Sequence, residues 1–225
     1  MNIDILRNVP LFASLSEREL TRIAGKLVQH RYTKDSPILM ESDPGNSLFI
    51  LVKGRVKITR TSDAGGEVIL AILKDGDFFG EISLLDGKPR TANVIAMQIS
   101  TVLMLHREEF KSLIQDHPNI SINLMKELAS RLRSSDTQIE SLSFLRTKGR
   151  VAATLLQLSE TAKHLGKNAV EIYRLPVHHE LAGLAGTSRE SVSRALLDFE
   201  KQGYIQRRRH HLLIKDQHVF SSQYL

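Results

Sequence analysis

Cysteine is absent from all 225 residues, which excludes disulfides, thiolate-held iron–sulfur clusters and Cys-based zinc sites. No apolar run approaches the ~18 uninterrupted residues that a membrane-spanning helix needs, so no membrane partner is expected. The first residues, MNIDILRNVP, lack the basic-then-apolar layout of a secretion signal, and a cytoplasmic setting is the default expectation. Internal repeats and low-complexity tracts are missing too. No Ser/His/Asp order and no paired-carboxylate pattern suggests catalysis, so the chain reads as a non-enzyme. The pairs His178/His179 and His210/His211 invite a metal reading. Neighbouring residues diverge on a helix, however, and no carboxylate or Cys completes a ligand spacing, so no metal is expected.

What is present suits a folded protein. The apolar fraction is 41%, ordinary for a globular chain, and the length allows one large domain or two modest ones. The net charge of +6 is unevenly placed. From Leu145 onward there are 13 Lys/Arg and 7 Asp/Glu, whereas the first 144 residues hold 18 of each. Such asymmetry points the C-terminal part toward a polyanion.

Ser16 and Glu19 stand at a capping-box spacing, and Leu20, Ile23 and Leu27 follow at helical intervals. After His30 the pattern turns to short apolar segments: SPILMES, SLFILVKG, RVKITRT, EVILAIL, DFFGEIS, TANVIAM and STVLMLH. Asp-Pro-Gly-Asn (43–46), Asp-Ala-Gly-Gly (63–66), Lys-Asp-Gly (74–76) and Asp-Gly-Lys-Pro (86–89) divide them. Short strands with such punctuation predict a β-roll or barrel ending near His106. A helical stretch from about Glu108 to Leu145 follows. In it Met125, Leu128, Leu132, Ser135, Ile139 and Leu142 are spaced 3, 4, 3, 4, 3. That is a heptad seam, and it predicts pairing with a second copy of the chain. Beyond it, helices are expected over 148–164, 178–185 and 188–202. Short strands are expected at 172–176, 203–206 and 212–215.

The stretch FFGEISLLDGKPRTANV (78–94) puts Glu81 and Arg90 into otherwise core-building sequence. A charge there needs a partner. Either the two pair with each other, or both await a ligand bearing hydroxyls and a negative charge. Gly80 lets a ligand approach the backbone, with Ile82 beside it. Arg90 suits a phosphate because its planar fork donates two parallel hydrogen bonds, and Thr91 is a further donor. A carboxylate suits a sugar hydroxyl. On the seam, Arg131, Ser135 and Asp136 could close over a base.

HHELAGLAGTSRESVSRALLDFEKQGYI (178–205) has a helix-turn-helix layout. Leu181, Leu184 and Ala185 face the core, Gly186 makes the turn, and Ser188 can cap the second helix. There Val192, Ala195, Leu196 and Phe199 share one face; Glu190, Ser193 and Arg194 share the other, with Arg189 at the leading edge. An Arg can grip guanine O6 and N7, and a Glu can accept from cytosine N4. The run Arg207 to His211 reads as a basic wing touching phosphates, Arg208 among them.

F-G-E-I-x-L-L followed by P-R-T-A resembles the phosphate-binding cassette of cyclic-nucleotide-binding domains. With the C-terminal motif, the chain resembles regulators of the cAMP receptor protein/FNR superfamily from about Ile5 to Lys215. The resemblance implies an α+β fold: a double-stranded, jelly-roll-like β-roll (1–116), a dimerisation helix and hinge (117–145) and a winged helix-turn-helix (146–225). It implies that Gly80 and Glu81 bind around the ribose 2′-hydroxyl and that Arg90 and Thr91 bind the cyclic phosphate. Arg131 would lie near the base or sugar, and Ser135 would contact adenine. Asp136 departs from the pattern: a carboxylate can accept from guanine N1–H and N2–H₂. The implied effector is therefore cAMP, with cGMP or cyclic di-GMP admitted.

Ser188-Arg189-Glu190 with Arg194 matches the family's base-reading positions and implies a palindromic TGTGA-like site read by a dimer. Val177 stands where many relatives have a capping Thr, leaving His178 or His179 to contact phosphate. The expected function is ligand-responsive transcription regulation on double-stranded DNA, with RNA polymerase admitted as a partner. The alternative is a family regulator that binds DNA without a nucleotide, or one that senses another effector such as a fatty acid or haem.

Overall fold

The structure, a computed structural model, describes residues 4–62, 65–160, 163–165, 168–208 and 211–225. It divides into two units, Met1–Leu132 and Arg133–Leu225. The first opens with helix α1 (Asp4–Arg7), a 3-10 turn (Pro10–Phe12) and α2 (Glu17–Ala24). The capping box expected from spacing forms at α2. Ser16 N–H donates to Glu19 Oε2 at 2.7 Å, and Glu19 N–H donates to Ser16 Oγ at 3.5 Å. Leu20 and Ile23 are buried.

Next come β1 (Val28–Tyr32), β2 (Pro37–Leu39), β3 (Ser47–Lys53), β4 (Arg55–Thr61), β5 (Glu67–Lys74) and β6 (Phe78–Phe79). Helix α3 (Glu81–Asp86), β7 (Asn93–Ala96) and β8 (Ser100–His106) complete the roll. The strands form two antiparallel four-stranded sheets, ordered β1-β8-β3-β6 and β2-β7-β4-β5. Strand β3 shows why its sequence is an unbroken apolar run. Successive side chains point to opposite faces, and here both faces are covered. Leu48 and Ile50 enter a core with Leu6, Leu20, Phe110 and Leu124, under the helices. Phe49 and Leu51 enter the core between the sheets with Val56, Leu73, Phe79, Val94 and Val102.

After β8 the chain becomes helical as α4 (Arg107–Asp116) and α5 (Pro118–Phe144). One helical stretch was expected here. The break falls at His117, which takes φ −134° and ψ 77° before Pro118, because proline disfavours the helical region for the residue preceding it. Helix α5 continues unbroken across the boundary between the units.

The second unit adds α6 (Thr147–Ser159), β9 (Lys163–His164), β10 (Val170–Tyr173), α7 (His178–Ala185), α8 (Arg189–Lys201), β11 (Ile205–Arg208), β12 (His211–Ile214) and α9 (Gln217–Tyr224). Its sheet is ordered β11-β12-β10-β9. Val192, Ala195, Leu196 and Phe199 are all buried, as their spacing predicts. Phe199 meets Phe220 and Tyr224 edge-on, with centroids 5.1 and 4.6 Å apart, a geometry that suits the ring quadrupole.

The architecture is thus α+β, with an N-terminal β-sheet domain, the long helix α5 and a C-terminal helix-turn-helix with a small sheet. Three local expectations need correction. DFFGEIS is not a strand: β6 lasts two residues before α3 begins. The helix expected over 148–164 stops at Ser159, and Lys163–His164 pairs with β10 instead. Helix α9 was not anticipated. Asp216 caps it by accepting from the N–H groups of His218 and Val219 at 2.9 and 3.0 Å. In the divider at 63–66, Asp63 and Ala64 lie outside the described residues; Ser62 N–H donates to Gly66 O at 2.9 Å. Among the described residues no helix is long and apolar enough to cross a membrane.

Candidate functional site

Gly80 sits at φ 83°, in the left-handed region, which ends β6 and sets Glu81 at the first turn of α3. A Cβ at this position would lie 2.7 Å from Arg90 Nη1 and 3.1 Å from Ser47 O, so only glycine fits. Glu81 is 3% exposed and Arg90 5%. Buried charges must be satisfied by something, and among the described residues these two form no ion pair with each other. Arg90 Nη1 donates to Gly80 O at 2.7 Å and Nη2 to Ser47 O at 2.9 Å. Its guanidinium lies 5.9 Å from the Phe49 ring centroid. The Nε–H is buried and has no partner. Burial pushes the guanidinium pKa down, and the Glu81 charge opposes that shift.

Glu81 pairs elsewhere. Its Oε1 accepts from Arg131 Nη1 at 3.1 Å. Arg131 also donates from Nη2 to Phe78 O at 2.7 Å and from Nε to Glu127 at 3.3 Å. It stacks over Phe78 at 4.7 Å. Glu81 Oε2 accepts no hydrogen bond among the described residues. Nearby, burial raises the Asp77 carboxyl pKa, against a hydrogen bond from Lys74 N–H and the charge of Arg131.

Glu81 and Arg90 both line one pocket, whose roughly 390 Å³ of empty space includes open solvent. Leu39, Ile58, Ile82 and Val94 contribute apolar lining; Gly80, Glu81, Ser83, Arg90 and Thr91 contribute backbone and polar groups. Such a site can take an anion at the Arg90 guanidinium, since each Nη carries two hydrogens and one of each is given to a carbonyl. It can take a hydroxyl on Glu81 Oε2.

The structure thus brings Gly80, Glu81, Ile82, Arg90 and Thr91 to one pocket, with Arg131 hydrogen-bonded to Glu81. Ser135 and Asp136 are exposed on α5 within the second unit. Sequence reasoning missed Ser47, whose carbonyl holds Arg90, and Phe49 beneath the guanidinium. A backbone acceptor has no residue signature. It also missed Ser83, whose hydroxyl donates to Pro89 O at 3.1 Å.

In the second unit, Ser188 Oγ accepts from Ser191 N–H at 3.2 Å and starts α8. Arg189, Glu190 and Arg194 are exposed opposite the buried face. The Glu190 carboxyl pKa is lowered by its own backbone N–H, then by Ser188, with Arg189 and Arg194 assisting. His178 is not simple polar surface: it is half-buried, with Nδ1 2.8 Å from Ser193 Oγ on α8. Burial, followed by the charges of Arg207 and Arg189, pushes its pKa down. His179 is exposed. Val177 is the extended residue before α7; its N–H donates to Glu180 Oε2 at 3.0 Å, while its side chain has nothing to accept with.

The basic run is less uniform than it reads. Arg207 donates to Glu200 from Nε and Nη2 at 2.9 and 2.6 Å, and this pairing lowers the Glu200 pKa. Arg208 is exposed; Arg209 and His210 lie outside the described residues. His211 sits 3.5 Å from Glu171 and edge-on to Tyr173. Among the described residues, no three His, Asp or Glu side chains are disposed to hold a metal.

Comparison with known proteins bears on both sites. The cyclic nucleotide-binding domain pattern matches residues 29–117, and the Crp-like helix-turn-helix domain pattern matches residues 149–219. The chain is 36% identical over 200 residues to the cyclic AMP receptor protein of Thermus thermophilus, covering 89% of each. It is 32% identical over 213 residues to the CRP-like cAMP-activated global transcriptional regulator of Mycobacterium tuberculosis, covering 95% of each. Among solved structures it is similar to a CooA mutant from Carboxydothermus hydrogenoformans, with TM-score 0.82 and 27% identity, covering 96% of this chain and 95% of that one.

Proposed function

Because the chain belongs to the cAMP receptor protein/FNR superfamily of DNA-binding transcription regulators, we propose that it is a cytoplasmic homodimer whose operator binding is controlled by cAMP. In this reading residues 1–116 hold the nucleotide, 117–145 form the dimerisation helix and hinge, and 146–225 read DNA. RNA polymerase is the partner such a regulator addresses. Arg90 and Thr91 take the cyclic phosphate, and Gly80, Glu81 and Ile82 surround the ribose. Arg131, Ser135 and Asp136 serve the base side.

One observation carries the effector reading: Arg90, buried and without an ion-pair partner among the described residues, lines the same pocket as the buried carboxylate of Glu81. A buried cation without a counter-charge is costly, and a phosphate would supply one. A single such guanidinium suits one phosphate, which favours a mononucleotide over cyclic di-GMP. Asp136 supports a second reading, cGMP, through acceptance from guanine N1–H and N2–H₂. Calorimetric titration of cAMP, cGMP and cyclic di-GMP, followed by operator binding with the best ligand, tests all of this. The expected result is heat with cAMP or cGMP and a gain in DNA affinity. No heat with any of the three and unchanged DNA affinity would instead mark a regulator that needs no nucleotide.

The heptad seam supports the dimer. Met125, Leu132 and Ile139 are 59%, 64% and 61% exposed on the single chain, an uneconomical arrangement for a helix without a partner. Leu132→Glu should convert dimer to monomer in sedimentation. A variant still dimeric at micromolar concentration would count against the seam.

The palindromic TGTGA-like site rests on Arg189, Glu190 and Arg194, with Ser188, Ser193, His178, His179 and Arg208 along the backbone. A phosphate near His178 would raise a pKa that the free protein holds below its ordinary value. Binding would then take up a proton, so affinity should rise as the pH falls through that interval. Anisotropy titrations between pH 7.5 and about 6 should show the rise, and His178→Gln should flatten it. An equal slope in that variant would remove His178 from the interface.

A further inference from the structure

Arg107 lies outside the pocket lining, yet its guanidinium joins the helix that carries Glu81 to the turn that holds the Arg90 backbone. We propose that Arg107 is a positioning residue, holding the Glu81 helix and the Arg90 segment at ligand-ready spacing before any nucleotide arrives. The inference rests on the cyclic-nucleotide reading of the pocket.

The geometry is as follows. At the start of α4, Arg107 N–H donates to Asn46 O at 2.9 Å. Its Nη2 donates to Gly45 O at 2.7 Å and to Ser83 O at 3.0 Å. The first two contacts anchor the 43–46 turn, and the third reaches α3 two residues beyond Glu81. Ser83 O also accepts from Gly87 N–H at 3.1 Å, so the cation sits at the carbonyl end of that helix, where its charge is favourable. Ser83 Oγ then ties the helix to Pro89 O at 3.1 Å, directly before Arg90.

The same turn grips Arg90 from the other side. Arg90 N–H donates to Asp43 O at 2.8 Å, and Arg90 O accepts from Ser42 N–H at 2.9 Å. There is no slack at the crossing. A Cβ on Gly45 would run into the Ser83 Cβ and stand 3.3 Å from Lys88 O. Segment 42–46, α3 and residues 88–90 are therefore interlocked, with Arg107 as the charged pin.

This placement has an electrostatic cost that storage of shape alone would not require. The Arg107 charge acts on Arg90 and lowers its pKa further. Two cations kept in one neighbourhood repel, and an anionic ligand relieves that repulsion. Preorganisation of this kind raises affinity by removing the ordering cost from the binding step.

Calorimetry with cAMP and cGMP on the full chain, for wild type, Arg107→Ala and Arg107→Lys, tests the inference together with amide hydrogen exchange of the ligand-free proteins. Loss of two charge-assisted hydrogen bonds should raise Kd by about 10- to 100-fold in Arg107→Ala. Arg107→Lys keeps the charge without the planar fork and should recover part of that loss while staying weaker than wild type. Exchange should quicken across 81–91 and stay at the wild-type rate in 101–105. A Kd within about twofold of wild type, or exchange that rises equally in 101–105, would overturn positioning in favour of a merely structural role. Should Arg107→Ala fail to fold, Arg107→Lys binding as tightly as wild type would overturn it. A wild-type chain that binds neither nucleotide would remove the pocket reading itself and this inference with it.

Discussion

Arg90→Ala should weaken cAMP binding by about two to three orders of magnitude, the range of roughly 3–4 kcal/mol expected when one partner of a buried, hydrogen-bonded charge pair is removed. The size follows from burial. Arg90 as a residue is 5% exposed, so its guanidinium meets the phosphate largely out of competition with water. Arg90→Lys should be a poor substitute, because a point charge cannot bridge the Gly80 and Ser47 carbonyls and still offer a fork to the ligand. Without ligand, two effects oppose each other: alanine frees the fold from a buried cation but strands two carbonyl acceptors. The ligand-free unfolding midpoint should therefore move far less than the affinity does. A calorimetric Kd within tenfold of wild type would leave the phosphate bound by something other than Arg90.

Arg194→Ala and Arg208→Ala should fail in different ways. Arg194 is exposed on α8 and engages no hydrogen-bond partner among the described residues, so its fork is available to a base edge. Its loss should cost about 1–3 kcal/mol of discrimination at one base position and leave binding to unrelated duplexes nearly unchanged. Arg208, exposed on β11, should instead act on every sequence alike and reduce the salt slope by about 0.9. Anisotropy titrations on a palindromic operator, its single-base variants and a random duplex, at several salt concentrations, separate the two. Identical behaviour of the two variants would remove the division between reading and anchoring. Arg207 makes a useful control: its guanidinium is committed to Glu200, so its removal should disturb the hairpin more than the salt slope.

Some of this architecture is legible in the residues, and the rest is hidden for identifiable reasons. Strand β3 announces itself because both of its faces are covered. Strand β1, VQHRY, does not, because it leaves most of its side chains outside. The run FFGEISLL is apolar at either period, and the left-handed turn at Gly80 decides between strand and helix. On α8 the spacing of Val192, Ala195, Leu196 and Phe199 was sufficient, since a helix buries one stripe. Glu81 and Arg90 could be recognised as charges out of place. Their actual partners could not: Arg90 is held by two backbone carbonyls, and Glu81 by an arginine 50 positions away. Helix α9 carried a cap at Asp216 and one deeply buried ring, too short a pattern to stand out.

Arg131 binds three things at once: the Glu81 carboxylate, the carbonyl of Phe78 and Glu127 on its own helix. Through Arg131, α5 is tied both to the carboxylate of the α3 helix and to the β6 strand before it. A shift of either element must stretch or turn these bonds, so wall and helix are coupled through one side chain.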